Sequence, residues 1–237
     1  MKITMGLNIG DDWTEGILVK KLNRFLASAN VKGHQAFAHI PNSGRLAELL
    51  TPGRKAVFTK ADNPKRKTEW TLQSVWFNNR WVSINSNTPN HLFEYSLVRN
   101  QLPPFSGFTR CKRETTWGNS RFDFVLTFPK GKKCLVEVKS VTLVVGNVGR
   151  FPDAPTERGR KHLLELLRFV QDGIRGAVFF CVQRSDVRKF QPNDGTDPEF
   201  GRILREISKK GVEIYAYNCR VGKNNISLHQ SIPVDLG

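Results

Sequence analysis

The stretch Ser120-Arg121-Phe122-Asp123-Phe124-Val125-Leu126-Thr127-Phe128, then Pro129-Lys130-Gly131-Lys132, then Lys133-Cys134-Leu135-Val136-Glu137-Val138-Lys139-Ser140 decides the fold. Two short apolar runs flank a turn rich in Pro, Gly and Lys, which is the pattern of a β-hairpin. Three charged residues interrupt the runs: Asp123, Glu137 and Lys139. Side chains of a strand alternate between faces, so Glu137 and Lys139 share one face while Val136 and Val138 take the other. An antiparallel partner can bring Asp123 to the face of Glu137. Two carboxylates and an ammonium on an apolar sheet require partners or a task, because buried charge is costly.

The bulk composition sets the setting for this hairpin. The chain has 237 residues, enough for one large or two small domains, and 39% hydrophobic content with 16 Phe and 5 Trp supports a real core. Lys and Arg number 37 against 21 Asp and Glu, a net charge of +16. So basic a globular chain is attracted to polyanions, nucleic acid above all; an inert basic surface is the alternative. The sequence contains no apolar run long enough to span a membrane, and residues 1–12 show no secretory pattern. Cys111, Cys134, Cys181 and Cys219 are widely spaced and lack CxxC pairing. They read as small buried hydrophobes of a reducing compartment, so a cytoplasmic protein is expected.

Upstream, short strands are expected at residues 16–22, 24–30, 34–40, 56–60, 70–75 and 81–85, with a short helix near residues 45–50. This density of strands and turns points to a small barrel, and an oligonucleotide-binding (OB) barrel over residues 1–86 is the preferred fold. Lys60, Lys65, Arg66 and Lys67 form a basic loop beside Trp70, a combination suited to backbone charge and base stacking. A solvated loop next to core aromatics is the alternative. From residue 87 to 237 the expected order is helix, three strands, helix, strand, helix, strand, which describes an α/β sandwich with a central mixed sheet. The overall fold class is therefore α+β in two domains.

Pro155-Thr156 opens the helix expected over residues 156–171, with Thr156 as N-cap. Arg158, Lys161 and His162 share one face of it and are candidates to grip a phosphate at the helix start. Gly146 and Gly149 upstream suggest a mobile loop. Arg121 alternates with Asp123 and is a further candidate for DNA contact. Glu114, nine residues before Asp123, is a candidate third metal ligand or else an exposed carboxylate.

An Asp followed, after about a dozen residues, by Glu-x-Lys resembles the signature of the PD-(D/E)xK nuclease fold. The pieces Pro41-Asn42-Ser43-Gly44, Trp81-Val82-Ser83-Ile84-Asn85, Gly118-Asn119-Ser120-Arg121-Phe122-Asp123-Phe124, Glu137-Val138-Lys139-Ser140-Val141-Thr142-Leu143 and Phe151-Pro152-Asp153-Ala154-Pro155-Thr156-Glu157-Arg158-Gly159 resemble the sugar fermentation stimulation protein family of bacteria and archaea. The likeness runs from about Arg24 to Asn218. Ile40 stands where the family often has Cys, and Ser43 where it often has Thr. The resemblance implies DNA binding, an N-terminal OB-like barrel and a PD-(D/E)xK nuclease-like second domain. On that reading Asp123, Glu137 and Lys139 are the catalytic candidates. Asp123 and Glu137, with Glu114, would hold Mg²⁺, with Mn²⁺ a plausible substitute, as hard oxygen ligands do. The competing reading is a non-catalytic DNA-binding regulator of sugar metabolism that retains the nuclease fold, its charged cluster only a structural ion pair.

Overall fold

A computed structural model describes residues 6–61, 66–118 and 120–237. A two-residue strand, β1 (Leu7–Asn8), comes first, followed by β2 (Trp13–Lys21), β3 (Leu26–Val31), β4 (His34–His39), β5 (Lys55–Lys60), β6 (Trp70–Phe77) and β7 (Arg80–Ser83). Strands β2 to β6 close on themselves in the order β4-β3-β2-β5-β6. The closure is a parallel pairing of β4 with β6, Ala38 opposite Trp70 and His39 opposite Thr71. This is a five-stranded OB barrel, and closure removes the exposed edges of so small a sheet. Alternation fills its interior: Ala27, Ala29 and Val31 of β3 meet Phe58, Trp70, Leu72 and Val75, all buried. Gly16 of β2 permits the tight fit, since a Cβ there would fall 2.5 Å from the Asn30 carbonyl oxygen. The helix expected at residues 45–50 is a single turn, in which Leu49 and Leu50 both donate to the Leu46 carbonyl. Leu46 takes a left-handed φ of 49°, which does not propagate a helix.

The second domain is built from α1 (Thr88–Leu97), β8 (Arg110–Trp117), β9 (Ser120–Thr127), β10 (Lys133–Val141), β11 (Val144–Val145), β12 (Val148–Phe151), α2 (Glu157–Gln171), β13 (Arg175–Val182), β14 (Lys189–Pro192), α3 (Pro198–Lys209), β15 (Glu213–Val221) and β16 (Asn225–Ser231). Seven strands form one mixed sheet in the order β1-β16-β15-β13-β10-β9-β8, with β10, β13 and β15 parallel and the outer pairings antiparallel. Leu92, Phe93 and Leu97 of α1 pack on one face. Leu163, Leu166 and Leu167 of α2 and Phe200, Ile203, Leu204 and Ile207 of α3 pack on the other. The central strand β13 is buried from Gly176 to Val182, as expected when helices cover both faces.

Two features depart from the sequence-based expectation, and the cysteines follow it. Strand β1 does not join the barrel; Leu7 and Ile9 lie against the second core, and Leu7 pairs with Ile226. The glycine-rich segment before α2 is not an open loop but a small sheet, β11-β12-β14, with Gly149 packed on Val182 and Val187. Cys181 and Cys219, distant in sequence, stand on neighbouring strands with sulfurs 3.5 Å apart, both free thiols. Among the described residues no helix is long and apolar enough to cross a membrane.

The two domains meet along a polar seam. Ser83 of β7 donates its N–H to the Gln183 carbonyl at 3.1 Å and its hydroxyl to Gln183 Oε1 at 2.7 Å. Arg184, only 2% exposed, forks onto Asp186 through two bonds of 2.7 Å and stacks over the ring of Phe77 from the barrel. Its third nitrogen donates to the Thr142 carbonyl. Removing one member of a buried ion pair strands the other, so Arg184→Ala is expected to lower unfolding free energy by about 3 kcal/mol. Urea unfolding measures this, and a loss within experimental error of zero would show that the seam does not depend on Arg184.

Candidate active site

The acidic site forms where the central sheet splits. Strands β9 and β10 are paired from Thr127 opposite Lys133 to Phe124 opposite Val136, and the pairing stops there. Beyond this point the Val138 N–H donates at 2.8 Å to Oδ2 of Asp123. The carboxylate therefore occupies the gap left by the departing strand, and buried backbone donors of this kind need such a partner. The other oxygen, Oδ1, accepts from Asn90 Nδ2 of α1 at 2.9 Å. Helix α1 thus orients Asp123 from the face opposite α2.

Glu137 lies one residue before Val138 on β10 and is 3% exposed. It faces α2, as period-two alternation requires, and Lys139 follows it on that face. Oε1 of Glu137 accepts from Lys139 Nζ at 2.6 Å and is 2.5 Å from His162 Nδ1 on the second turn of α2. His162 Nε2 in turn accepts, at 3.4 Å, from Arg158 Nε. That arrangement places the imidazole proton on the Glu137 side. Oε2 of Glu137 is buried and finds no hydrogen-bond partner among the described residues.

The two carboxyls differ in acidity. Burial, and then the charge of Glu137, push Asp123 up to about 6 against the pull of the Val138 N–H, Lys139 and Asn90. Burial also opposes ionisation of Glu137, but Lys139 and His162 outweigh it and bring that carboxyl down to about 2. Ionised together, the two carboxylates face one ammonium, Lys139, and the imidazole of His162.

The remaining candidates fall in other places. Glu114 is not gathered to the pair. The pairs Arg113–Phe124 and Thr115–Phe122 put Glu114 level with Asp123, but Glu114 takes a left-handed φ of 47° in mid-strand and forms no ladder pair there. Its carboxylate accepts from Arg121 Nε at 2.6 Å, and that ion pair occupies both residues. Among the described residues no cluster of three His, Cys, Asp or Glu could hold a metal ion. Lys161 is exposed and faces Glu165 at 3.8 Å. The start of α2 has other occupants: Thr156 accepts from the Gly159 N–H, and Asp197 takes both the Thr156 N–H and the Arg160 guanidinium. The helix-face trio is therefore divided: His162 turns inward to Glu137, while Arg158 and Lys161 remain outside.

On the barrel, Lys60 lies 4.0 Å from Glu69, an exposed pair of little energetic weight. Arg66 donates to Thr71 and Thr68, Lys67 is exposed, and Lys65 lies outside the described residues. Trp70, expected beside this loop as a stacking surface, is 5% exposed and belongs to the core. The exposed aromatics lie elsewhere. Phe25 and Phe37 are 48% and 52% exposed, and Phe25 stacks on His39. Lys20, Ser28 and Phe37 form one row across β2, β3 and β4. Strict alternation within His34-Gln35-Ala36-Phe37-Ala38-His39 is the signal that sets Phe37 and His39 on the outer face. Asn90 gave no such signal, being 33 positions from the carboxylate it holds.

Comparison with known proteins assigns both parts of the chain to one family. Residues 19–84 match the family model described as the SfsA N-terminal OB domain, and residues 87–225 the model described as the Sugar fermentation stimulation protein RE domain. The chain belongs to the sugar fermentation stimulation protein family. A family member from Caldanaerobacter subterraneus subsp. tengcongensis, named a sugar fermentation stimulation protein homolog, is 44% identical over 223 residues, covering 94% of this chain and 96% of its own. A homolog from Desulforamulus reducens is 43% identical over 222 residues, covering 94% and 92%. The solved structure of Pyrococcus furiosus SfsA in complex with Ca²⁺ superposes with a TM-score of 0.89 at 29% identity, over 98% of this chain and 99% of that one.

Without a divalent cation, the raised pKa of Asp123 has a measurable consequence. The folded chain holds this proton more tightly than the unfolded chain, so stability falls as pH rises from the ordinary carboxyl value toward 6. A shift from 3.8 to about 6 corresponds to about 3 kcal/mol at neutral pH. Asp123→Asn should remove this part of the pH slope. Thermal unfolding of both proteins across that window tests it, and parallel profiles would contradict it.

Proposed function

We propose that this protein binds DNA and hydrolyses its phosphodiester bonds at Asp123, Glu137 and Lys139 with Mg²⁺. The observation that carries the proposal is the unpartnered, buried Oε2 of Glu137, in a site where the charge of the neighbouring Asp123 is also incompletely balanced. An orphaned carboxylate oxygen of this kind is a vacant ligand, and two carboxylates with water are a sufficient protein contribution for Mg²⁺. Asp123 and Glu137 would hold the ion, and Mn²⁺ would serve in its place. When bound, the ion supplies an acidified water and neutralises phosphate charge.

The residues of the chain have separable tasks in this reading. His162 fixes Oε1 of Glu137 and leaves Oε2 available. Asn90 and the Val138 N–H orient Asp123. Lys139 is aligned with Glu137 and, once that carboxylate is otherwise neutralised, its Nζ is free to hold the attacking water or a phosphate oxygen in the transition state. DNA would approach through the +16 charge and the exposed Phe25, Phe37 and His39 of the barrel.

Two observations favour a binding protein without turnover. Lys139 is already paired with Glu137 at 2.6 Å, and Glu114 does not complete a three-carboxylate set. Lys139→Ala separates the two readings. In the enzyme reading this variant still binds Mg²⁺, measured by calorimetry, while Mg²⁺-dependent nicking of supercoiled, single-stranded or branched DNA disappears. Wild-type protein that binds Mg²⁺ yet cleaves none of these substrates would establish the binding-only reading.

The barrel makes its own contribution to affinity. Phe25→Ala and Phe37→Ala should each weaken single-stranded DNA binding by about 1–3 kcal/mol, the usual worth of a base-stacking aromatic. Fluorescence anisotropy measures this, and unchanged affinity in both variants would remove the aromatic face from the binding surface.

A further inference from the structure

Between the barrel and the second domain lies a polar cleft of about 180 Å³. Arg24, Ser43 and Gly44 line it from the barrel side, and Ser140, Arg150 and Asp153 from the other. The cleft has room for about six waters at their liquid volume. It is a constructed gap: the Ser83–Gln183 bonds and a bond from the Leu46 N–H to Asp153 Oδ2, 2.8 Å, hold its two walls. A Cβ on Gly44 would fall 2.9 Å from that same oxygen, so a larger residue would force this wall to shift.

Its position is informative. Ser140 directly follows Lys139 of the acidic site. At the other end Arg24 lies over the ring of Phe25, the exposed aromatic that stacks on His39. The cleft therefore lies between the aromatic face of the barrel and the end of the strand that carries Glu137 and Lys139. Its charge is also informative. Asp153 is engaged by the Leu46 N–H and influenced by nearby Lys21. Arg24 has its Nε on the Ser43 carbonyl at 2.8 Å, leaving its terminal nitrogens without a hydrogen bond to described residues. The Arg150 backbone N–H donates to the Leu143 carbonyl, but its guanidinium makes no hydrogen bond or ion pair with described residues. Two guanidiniums with free donors, beside the hydroxyls of Ser43 and Ser140, suit an anion with several acceptor oxygens, and the guanidinium fork matches phosphate.

We propose that this cleft is a phosphodiester subsite that seats one backbone phosphate of a single DNA strand between Arg24 and Arg150, as the strand passes from the barrel to the acidic pair. The proposal rests on the reading of the acidic pair as a nuclease-like centre, and it narrows the substrate to a single strand. The walls are joined and the gap admits one backbone; a duplex does not enter it.

The test is the salt dependence of binding by the intact protein in EDTA, where cleavage plays no part. The probes are a labelled oligothymidylate long enough to reach both domains and a hairpin duplex of equal charge. Arg150→Gln should weaken oligothymidylate binding about tenfold, the loss of one charge-assisted contact. It should also reduce the slope of log affinity against log salt by about 0.7, the value for one single-strand phosphate. Affinity for the hairpin should not change. Arg24→Gln, on the exposed wall, should repeat this result and keeps the test valid if the Arg150 variant unfolds. Arg150→Lys, which retains charge without the fork, should fall between. If both glutamine variants melt normally and keep wild-type slope and affinity, the cleft is not a phosphate subsite. An equal loss for the hairpin would equally overturn the single-strand assignment. A wild-type protein that cleaves nothing would defeat the nuclease reading and leave these binding results standing.

Discussion

An ionised carboxylate sealed inside a β-sheet is the constraint on which the second domain is built. Glu137 is 3% exposed, and burial alone opposes its charge. Such a group requires partners in fixed places. Strand alternation supplies Lys139 on the same face, and the second turn of α2 supplies His162. Both act on one oxygen and leave the other without a hydrogen-bond partner among the described residues. The split of β9 from β10 then frees the Val138 N–H, which holds Asp123 close enough for the two carboxylates to repel each other. The same backbone event that ends the ladder thus creates the acidic pair. A purely structural ion pair needs neither the repulsion nor the orphaned oxygen, and this imbalance is what a divalent cation would relieve.

The barrel matters to this site because it is not loosely tethered. Interfaces between domains of one chain are often polar and permit motion. Here a buried guanidinium, Arg184, joins Asp186, the Thr142 carbonyl and the ring of Phe77 in one cluster. Gln183, in the preceding position, binds both Ser83 of the barrel link and Ser140 beside the acidic site. The seam therefore runs through residues adjacent to the catalytic candidates. The seam fixes the barrel against the end of the strand that carries Glu137 and Lys139.

The parts of this arrangement legible in the sequence are those governed by local periodicity. Alternation identified the hairpin, put Glu137 and Lys139 on one face and located the strands of a barrel. Helical spacing and a Thr N-cap located α2. What was not legible depends on contacts between distant segments or on backbone irregularities. Glu114 sits at the expected strand position, but its left-handed backbone and the pairing with Arg121 keep it from the site. His162 read as a hydrogen-bonding or phosphate-contacting group, but spacing along α2 does not reveal that its partner is Glu137. Trp70 adjoins a basic loop in sequence but points into the barrel. Strand β16 and its partner β1 come from opposite ends of the described chain, and neither short run announces a sheet partner by itself.

The measurement that bears most directly on the acidic pair is anomalous scattering from a crystal soaked in Mn²⁺. A single strong peak between Asp123 and Glu137, in contact with Oε2 of Glu137 and with Lys139 Nζ withdrawn from Oε1, is the expected result. An absence of any peak there at saturating Mn²⁺, with Lys139 and His162 still bonded to Glu137, would show that the cluster is a structural ion pair and that the protein performs no metal-dependent chemistry at this place.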